Sequence, residues 1–178
     1  MNITQVDLFH YYGTVPTRAP KKTHLTILRA RPLSQLPWLL HGFSTRVGGF
    51  SRAYAKGDLN LGFTQDDART SVELNRAAFL RELGAVSANR RGVRQANASF
   101  WPLITIRQIH SDVIRHFESI PAEPLSGDGL ITATPGLVLA IQTADCLPVI
   151  LVDTKRRVVG VFHAGWRGTL KRIVEKGV

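Results

Sequence analysis

Apolar positions along the chain change period twice, and the changes divide it into two regions. The segment 25–30 alternates apolar and polar residues as a half-buried strand does, and Pro32 ends it. A short apolar stretch from Trp38 to Phe43 leads into Ser44-Thr45-Arg46 and a turn at Gly48-Gly49, where glycine permits positive φ or close approach to a ligand. A loop rich in turn formers follows and closes on Leu59-Asn60-Leu61-Gly62. Over 66–84 the period becomes helical, with Val72, Asn75-Arg76, Phe79, Leu80 and Leu83 on one stripe, Asp66 or Asp67 as the N-terminal cap, and Gly84 as the stop. Residues 85–99 are polar and read as a loop or a frayed extension of the helix.

From residue 100 the pattern is that of strands. The run 101–110 is β-rich and stops at His110; Asp128-Gly129 turns into a strand through Thr132. Residues 136–143 are almost wholly apolar, which predicts a strand buried on both faces. Residues 148–153 and 158–162 form a hairpin around Lys155-Arg156-Arg157, and Gly165 to Thr169 opens a helix running from Leu170 to Lys176. These elements predict an α+β fold of mixed β-sheets flanked by helices. Residues 1–24 read as an irregular leader and 25–178 as a single domain.

Composition adds limits. The 178 residues carry a net charge of +10, but Lys and Arg are spread evenly and the nearest approach to a patch is Arg18, Lys21, Lys22, Arg29 and Arg31. Nucleic-acid binding favours a clustered stripe with exposed aromatics, so none is expected; an anionic substrate is compatible with the charge. Cys146 is the only cysteine, so no intrachain disulfide forms. No basic segment followed by an apolar one opens the chain and no apolar run is long enough for a bilayer, so a cytoplasmic protein is expected.

Chemistry concentrates on three residues. His110, Cys146 and His163 each sit at or just after the end of a β-run, 36 and 17 residues apart. Strand ends hold side chains rigidly and converge at one sheet edge. Two imidazoles and a thiolate leave a tetrahedral metal one open position, the arrangement of catalytic zinc. Spacing alone leaves two other readings open. Cys146 can be a small core residue with hydrogen-bonded histidines nearby, or the nucleophile of a Cys–His pair with His163 or His110 as base.

Six motifs stand in order: HGFSTRVGGFS (41–51), NLG (60–62), QIHSD (108–112), DGLIT (128–132), TADCLPV (143–149) and HAGWRGT (163–169). Together they resemble the YfiH-type laccase-domain proteins, also labelled multicopper polyphenol oxidases and purine nucleoside phosphorylases. The resemblance covers about 38–178. It implies one zinc on His110, Cys146 and His163, phosphorolysis of adenosine, inosine, guanosine and methylthioadenosine, and adenosine deamination. Copper-dependent phenol oxidation is the older label; six scattered histidines supply too few imidazoles for a multicopper cluster.

Arg46 and Arg167 are the candidate phosphate or ribose contacts, with a surface role or a pair with Asp128 or Asp145 as the bland alternatives. Asp145 is a candidate to orient a ligand histidine, Asn60 a loop cap, Trp166 a core residue before a purine platform, and His41 and His116 ordinary histidines. Family members continue past the HAGWRG helix into a GP-x-I motif and further strands. A chain stopping at Val178 is therefore expected to be C-terminally truncated, with an exposed sheet edge open to self-association. An inactive remnant is the corresponding non-catalytic reading.

Overall fold

The computed structural model describes residues 24–86 and 100–178. The leader, apart from its last residue, and most of the 85–99 loop lie outside these. The first region begins with β1 (Ile27–Leu28), a single helical turn α1 (Arg31–Ser34) and β2 (Phe43–Ser44), which pairs antiparallel with β1. β3 (Val47–Ser51) follows and packs on α2 (Arg69–Leu83). The glycine pair expected in a turn lies inside β3. Gly48 has φ +97, and a Cβ on Gly49 would collide with the Asp58 carbonyl oxygen, so the close approach there is to backbone.

α2 forms because Val72, Asn75, Phe79, Leu80 and Leu83 recur on one face, and that face is buried against Leu59, Leu61 and Val138. Gly84 ends it with φ +89, as its left-handed preference predicts. The start differs from expectation. The helix begins after Ala68 with no side-chain cap and no acid in its first turn. Asp67 instead accepts hydrogen bonds from Ser51 Oγ (2.5 Å) and Asn60 Nδ2 (2.8 Å), so its carboxylate ties the preceding loop together.

The second region contains β4 (Leu103–Ile104), β5 (Ile114–His116), β6 (Gly129–Thr132), β7 (Val138–Leu139), β8 (Leu147–Asp153) and β9 (Val158–Ala164). The expected strand 101–110 shortens to β4, which pairs parallel with the equally short β7. Ala140 N–H extends this pairing by one bond to Ile104 O, but past Ile104 the first segment bonds elsewhere, with Arg107 N–H donating to Leu125 O. The burial predicted for 136–143 does hold from Leu137 to Ile141.

β5, β6, β9 and β8 form the largest sheet in that order, parallel between β5 and β6 and antiparallel elsewhere. The β8–β9 hairpin is the one predicted. Asp153 Oδ1 accepts from the Lys155 and Arg156 N–H groups to close its turn. β9 is nearly all buried, whereas β8 is half-exposed at the edge of the sheet. The final helix departs from expectation. It starts earlier, as α3 (Trp166–Leu170), and breaks at Arg172, whose φ is +61, before α4 (Ile173–Lys176). The break turns Ile173 into the cluster of Ile131, Phe162 and Ala164, where it is fully buried. The architecture is α+β with parallel and antiparallel pairings mixed, and no described helix is long and apolar enough to cross a membrane.

Candidate metal site

The three predicted donors come together: one ligand atom from each of His110, Cys146 and His163 lies within 4.8 Å of the others. Their supports are more varied than strand ends. His163 is inside β9, facing β6, with its N–H bonded to Asp128 O at 2.7 Å. Cys146 immediately precedes β8; the apolar run before it leaves the sheet at Leu139. His110 sits in a bend with φ +56, a left-handed conformation that costs a residue with a Cβ about 1–2 kcal/mol unless local bonds offset it.

Those surroundings are explicit. The Ile109, His110 and Ser111 N–H groups donate to the Asp128 carboxylate at 3.3, 3.0 and 2.6 Å, and Ser111 Oγ donates at 2.7 Å. His163 Nδ1–H donates to Asp128 Oδ1 at 2.7 Å. The carboxylate is wholly buried. Burial pushes its pKa up, but hydrogen bonds from His163, Ser111 and Ile109 outweigh this and hold it below the ordinary aspartate value. One further clamp joins two donor segments: Gln108 Nε2 donates to Gln142 O, and Gln142 N–H to Gln108 Oε1, both at 2.7 Å.

Gly165 backs the three donors. A Cβ there would stand 3.2 Å from Cys146 Sγ, 3.2 Å from His110 Cδ2 and 3.6 Å from His163 Cε1. The His110 and His163 rings meet edge to face with centroids 4.8 Å apart. His163 is buried, Cys146 half-buried and His110 exposed, so the cluster opens to solvent on one side. Among the described residues it is the one group of three side chains suited to a metal ion.

Other expectations change. Asp145 is exposed, and the carboxylate on His163 is Asp128, which the sequence offers only as an arginine partner. Its signal was present: DGLIT places an acid immediately before a buried strand. Trp166, expected in the core, is 69 % exposed, with the Arg167 guanidinium 5.0 Å from its ring centroid. Arg46 has its Nε 3.6 Å from Asp58 Oδ1, so its acidic partner is Asp58 in place of the expected Asp128 or Asp145, and it is itself half-exposed. Asn60 is structural, bonded to Asp67 and accepting from Gly62 N–H. His41 is buried, its Nε2 accepting from Ala30 N–H, and its pKa is lowered by burial and by Arg29; His116 is exposed on β5.

Residues 40–178 match a family model described as multi-copper polyphenol oxidoreductase laccase. A Deinococcus radiodurans protein named purine nucleoside phosphorylase is 38% identical over 149 residues, 83% of this chain and 52% of its own length. A Streptomyces griseus protein with the same activity in its name is 34% identical over 139 residues, 76% of this chain and 51% of its own. Among solved structures, Geobacillus stearothermophilus YlmD superposes with a TM-score of 0.60 at 28% identity, covering 76% of this chain and 48% of that one. Neisseria meningitidis NMB0706 gives 0.59 at 30%, covering 75% and 48%. The chain thus spans about half the length of the relatives it matches.

Proposed function

The chain belongs to the multi-copper polyphenol oxidoreductase laccase family, and from that premise we propose that it holds one zinc ion on His110, Cys146 and His163 and serves phosphorolysis of purine nucleosides. The observation that carries the reading is the convergence of one thiol and two imidazoles within 4.8 Å. The residues fit such an ion. Sulfur with two ring nitrogens suits zinc rather than magnesium or calcium, and Gly165 leaves free the space a side chain would take from the donors. A single group of three donors among the described residues supports one ion in preference to a copper cluster. The names of the relatives supply the reaction class.

A zinc ion with an open position supplies Lewis acidity at neutral pH. The protein's part is recognition and order. Arg167, exposed beside the site, offers a cation for phosphate, and Trp166 a face on which a purine can stack. Arg46 is a second anion contact in this reading, steadied by Asp58. The domain spans 25–178, and the solvent-facing side of His110 admits substrate. Adenosine deamination belongs to the same proposal.

The test is metal analysis of the purified chain followed by incubation with adenosine and phosphate. One zinc per chain and release of adenine are expected, with inosine and hypoxanthine if deamination also occurs. Zinc without product would leave the metal and remove the phosphorylase. Copper with phenol oxidation would restore the family's older label.

A second reading has one observation in its favour. Asp128 bonds His163 Nδ1, and the Cys146 thiol lies within 4.8 Å of a nitrogen of the same ring, so an acid, an imidazole and a thiol adjoin in the order that nucleophilic cysteine enzymes use. It predicts activity that iodoacetamide abolishes and chelators leave intact. The zinc reading predicts that chelators abolish activity and zinc restores it.

A further inference from the structure

The three donors lie on three separate segments, yet two of them answer to one carboxylate. Asp128 receives the ring N–H of His163 and the backbone N–H groups of residues 109, 110 and 111. We propose that Asp128 is a positioning residue that sets two of the three metal donors at once, so that the site has its shape before any ion arrives; this rests on the metal reading above.

The argument has two halves. A carboxylate on Nδ1 fixes the His163 ring as the Nδ1–H tautomer, which leaves the Nε2 lone pair as its only donor and fixes the plane of the ring. The same oxygens hold three consecutive N–H groups, which fold the chain into the bend at His110 and maintain its φ of +56. Freed from those bonds, a non-glycine residue relaxes out of the left-handed region and the His110 ring swings away. Neither half depends on hydrophobic packing of Asp128, whose contacts are hydrogen bonds from donors. Asparagine in its place would keep one acceptor but would turn an amide group toward donors.

The experiment is cobalt(II) titration of the full chain, as wild type, Asp128→Asn and Ser111→Ala, following the thiolate-to-cobalt charge-transfer band and the visible ligand-field bands. Wild type is expected to bind one cobalt with both signatures. D128N is expected to bind about 10–100-fold more weakly, keeping the charge-transfer band of Cys146 while the ligand-field bands change as a histidine is lost. S111A removes the hydroxyl's bonds to Asp128 and from Val113 N–H but leaves the ring N–H of His163 and the three backbone N–H groups on the carboxylate, so its affinity is expected to fall by less than that of D128N, with the ligand-field bands kept. Equal affinity and equal spectra in D128N would overturn the proposal. Should D128N fail to fold, the tautomer of His163 in metal-free wild type decides by nitrogen NMR: protonated Nδ1 supports the proposal and protonated Nε2 overturns it. Absence of cobalt binding by wild type would sink the metal reading itself, an outcome distinct from a D128N that matches wild type.

Discussion

The two regions of the molecule are each organised around a buried polar side chain, and the two hubs differ by one atom. In the first region Asn75, fully buried on α2, accepts from Phe50 N–H at 2.7 Å and donates to Ser51 Oγ at 2.8 Å and Asn60 O at 2.7 Å. In the second, Asp128 is equally buried but meets donors alone. An amide carries both donors and acceptor and so satisfies mixed backbone polarity without charge. A carboxylate among donors stays ionised and grips them harder. The neutral hub holds a loop against a helix, whereas the charged one also holds an imidazole, whose tautomer it selects. Only the second touches a side chain of the candidate site.

Exchanging the polarity of the hubs breaks this comparison most sharply. Asn75→Ala leaves the Phe50 N–H and the Asn60 carbonyl without their side-chain partner, and buried groups left unsatisfied cost about 1–3 kcal/mol each. A loss of about 3–4 kcal/mol is expected, read from the urea midpoint. Asn75→Asp is expected to be worse near neutral pH, because the new carboxylate faces the Asn60 carbonyl with no donor to offer it. Its penalty should ease as pH falls and the acid becomes neutral. An Asn75→Asp protein as stable as wild type would mean that hub polarity is not set by its surroundings.

A gentler change separates stability from site geometry. Gly165 has φ −71 and ψ 167, which alanine adopts freely, so Gly165→Ala carries no backbone strain. Its new methyl group would press on Cys146 Sγ and His110 Cδ2, each at 3.2 Å. Both residues lie where they can yield, one half-buried and one exposed. Zinc affinity is expected to fall about tenfold, equivalent to about 1.4 kcal/mol, in competition with a chromophoric chelator. The thermal midpoint of the metal-free protein is expected to hold. A fall in that midpoint with unchanged zinc affinity would place Gly165 among packing residues.

How much of this was legible beforehand follows the range of the interactions. The α2 stripe and its Gly84 stop, the β8–β9 hairpin and the burial of 137–141 were readable, because each rests on local periodicity or turn chemistry. The places of His110, Cys146 and His163 beside β-runs predict their convergence, and the structure does bring them together. The reason was only partly right, since one donor is within a strand, one precedes a strand and one is in a bend. What could not be read was long-range polarity. Asp67 follows a helix-cap pattern but is drawn to Ser51 and Asn60. The run 101–110 has strand propensity, yet its second half bonds to 125–127 and to Gln142. Asp128 lies 35 residues from His163 and 17 from Ser111, and no periodicity links them.

The smallest expected effect isolates what burial adds to a carboxylate. Asp112, two residues after His110, accepts from Lys176 on α4, and Lys171 Nζ lies 3.4 Å from its other oxygen. The hydrogen bond from Lys176 is the largest cause of a pKa pushed down to about 2. A folded pKa below the unfolded one contributes stability that is full above the unfolded value, about 4, and is lost as pH falls toward the folded value of about 2. Solvent screens this surface pair, so its contribution to global stability is slight. The expected readout is local: below about pH 4, amide exchange in residues 173–178 accelerates while exchange in β9 does not. Lys176→Met should raise the Asp112 pKa toward the ordinary aspartate value and remove most of that pH dependence. Asp112 and Asp128, each with several donors, then differ because water reaches one and not the other; if exchange in β9 moved together with 173–178, the surface pair would be acting on the sheet and the distinction between gripping a helix end and shaping a site would fail.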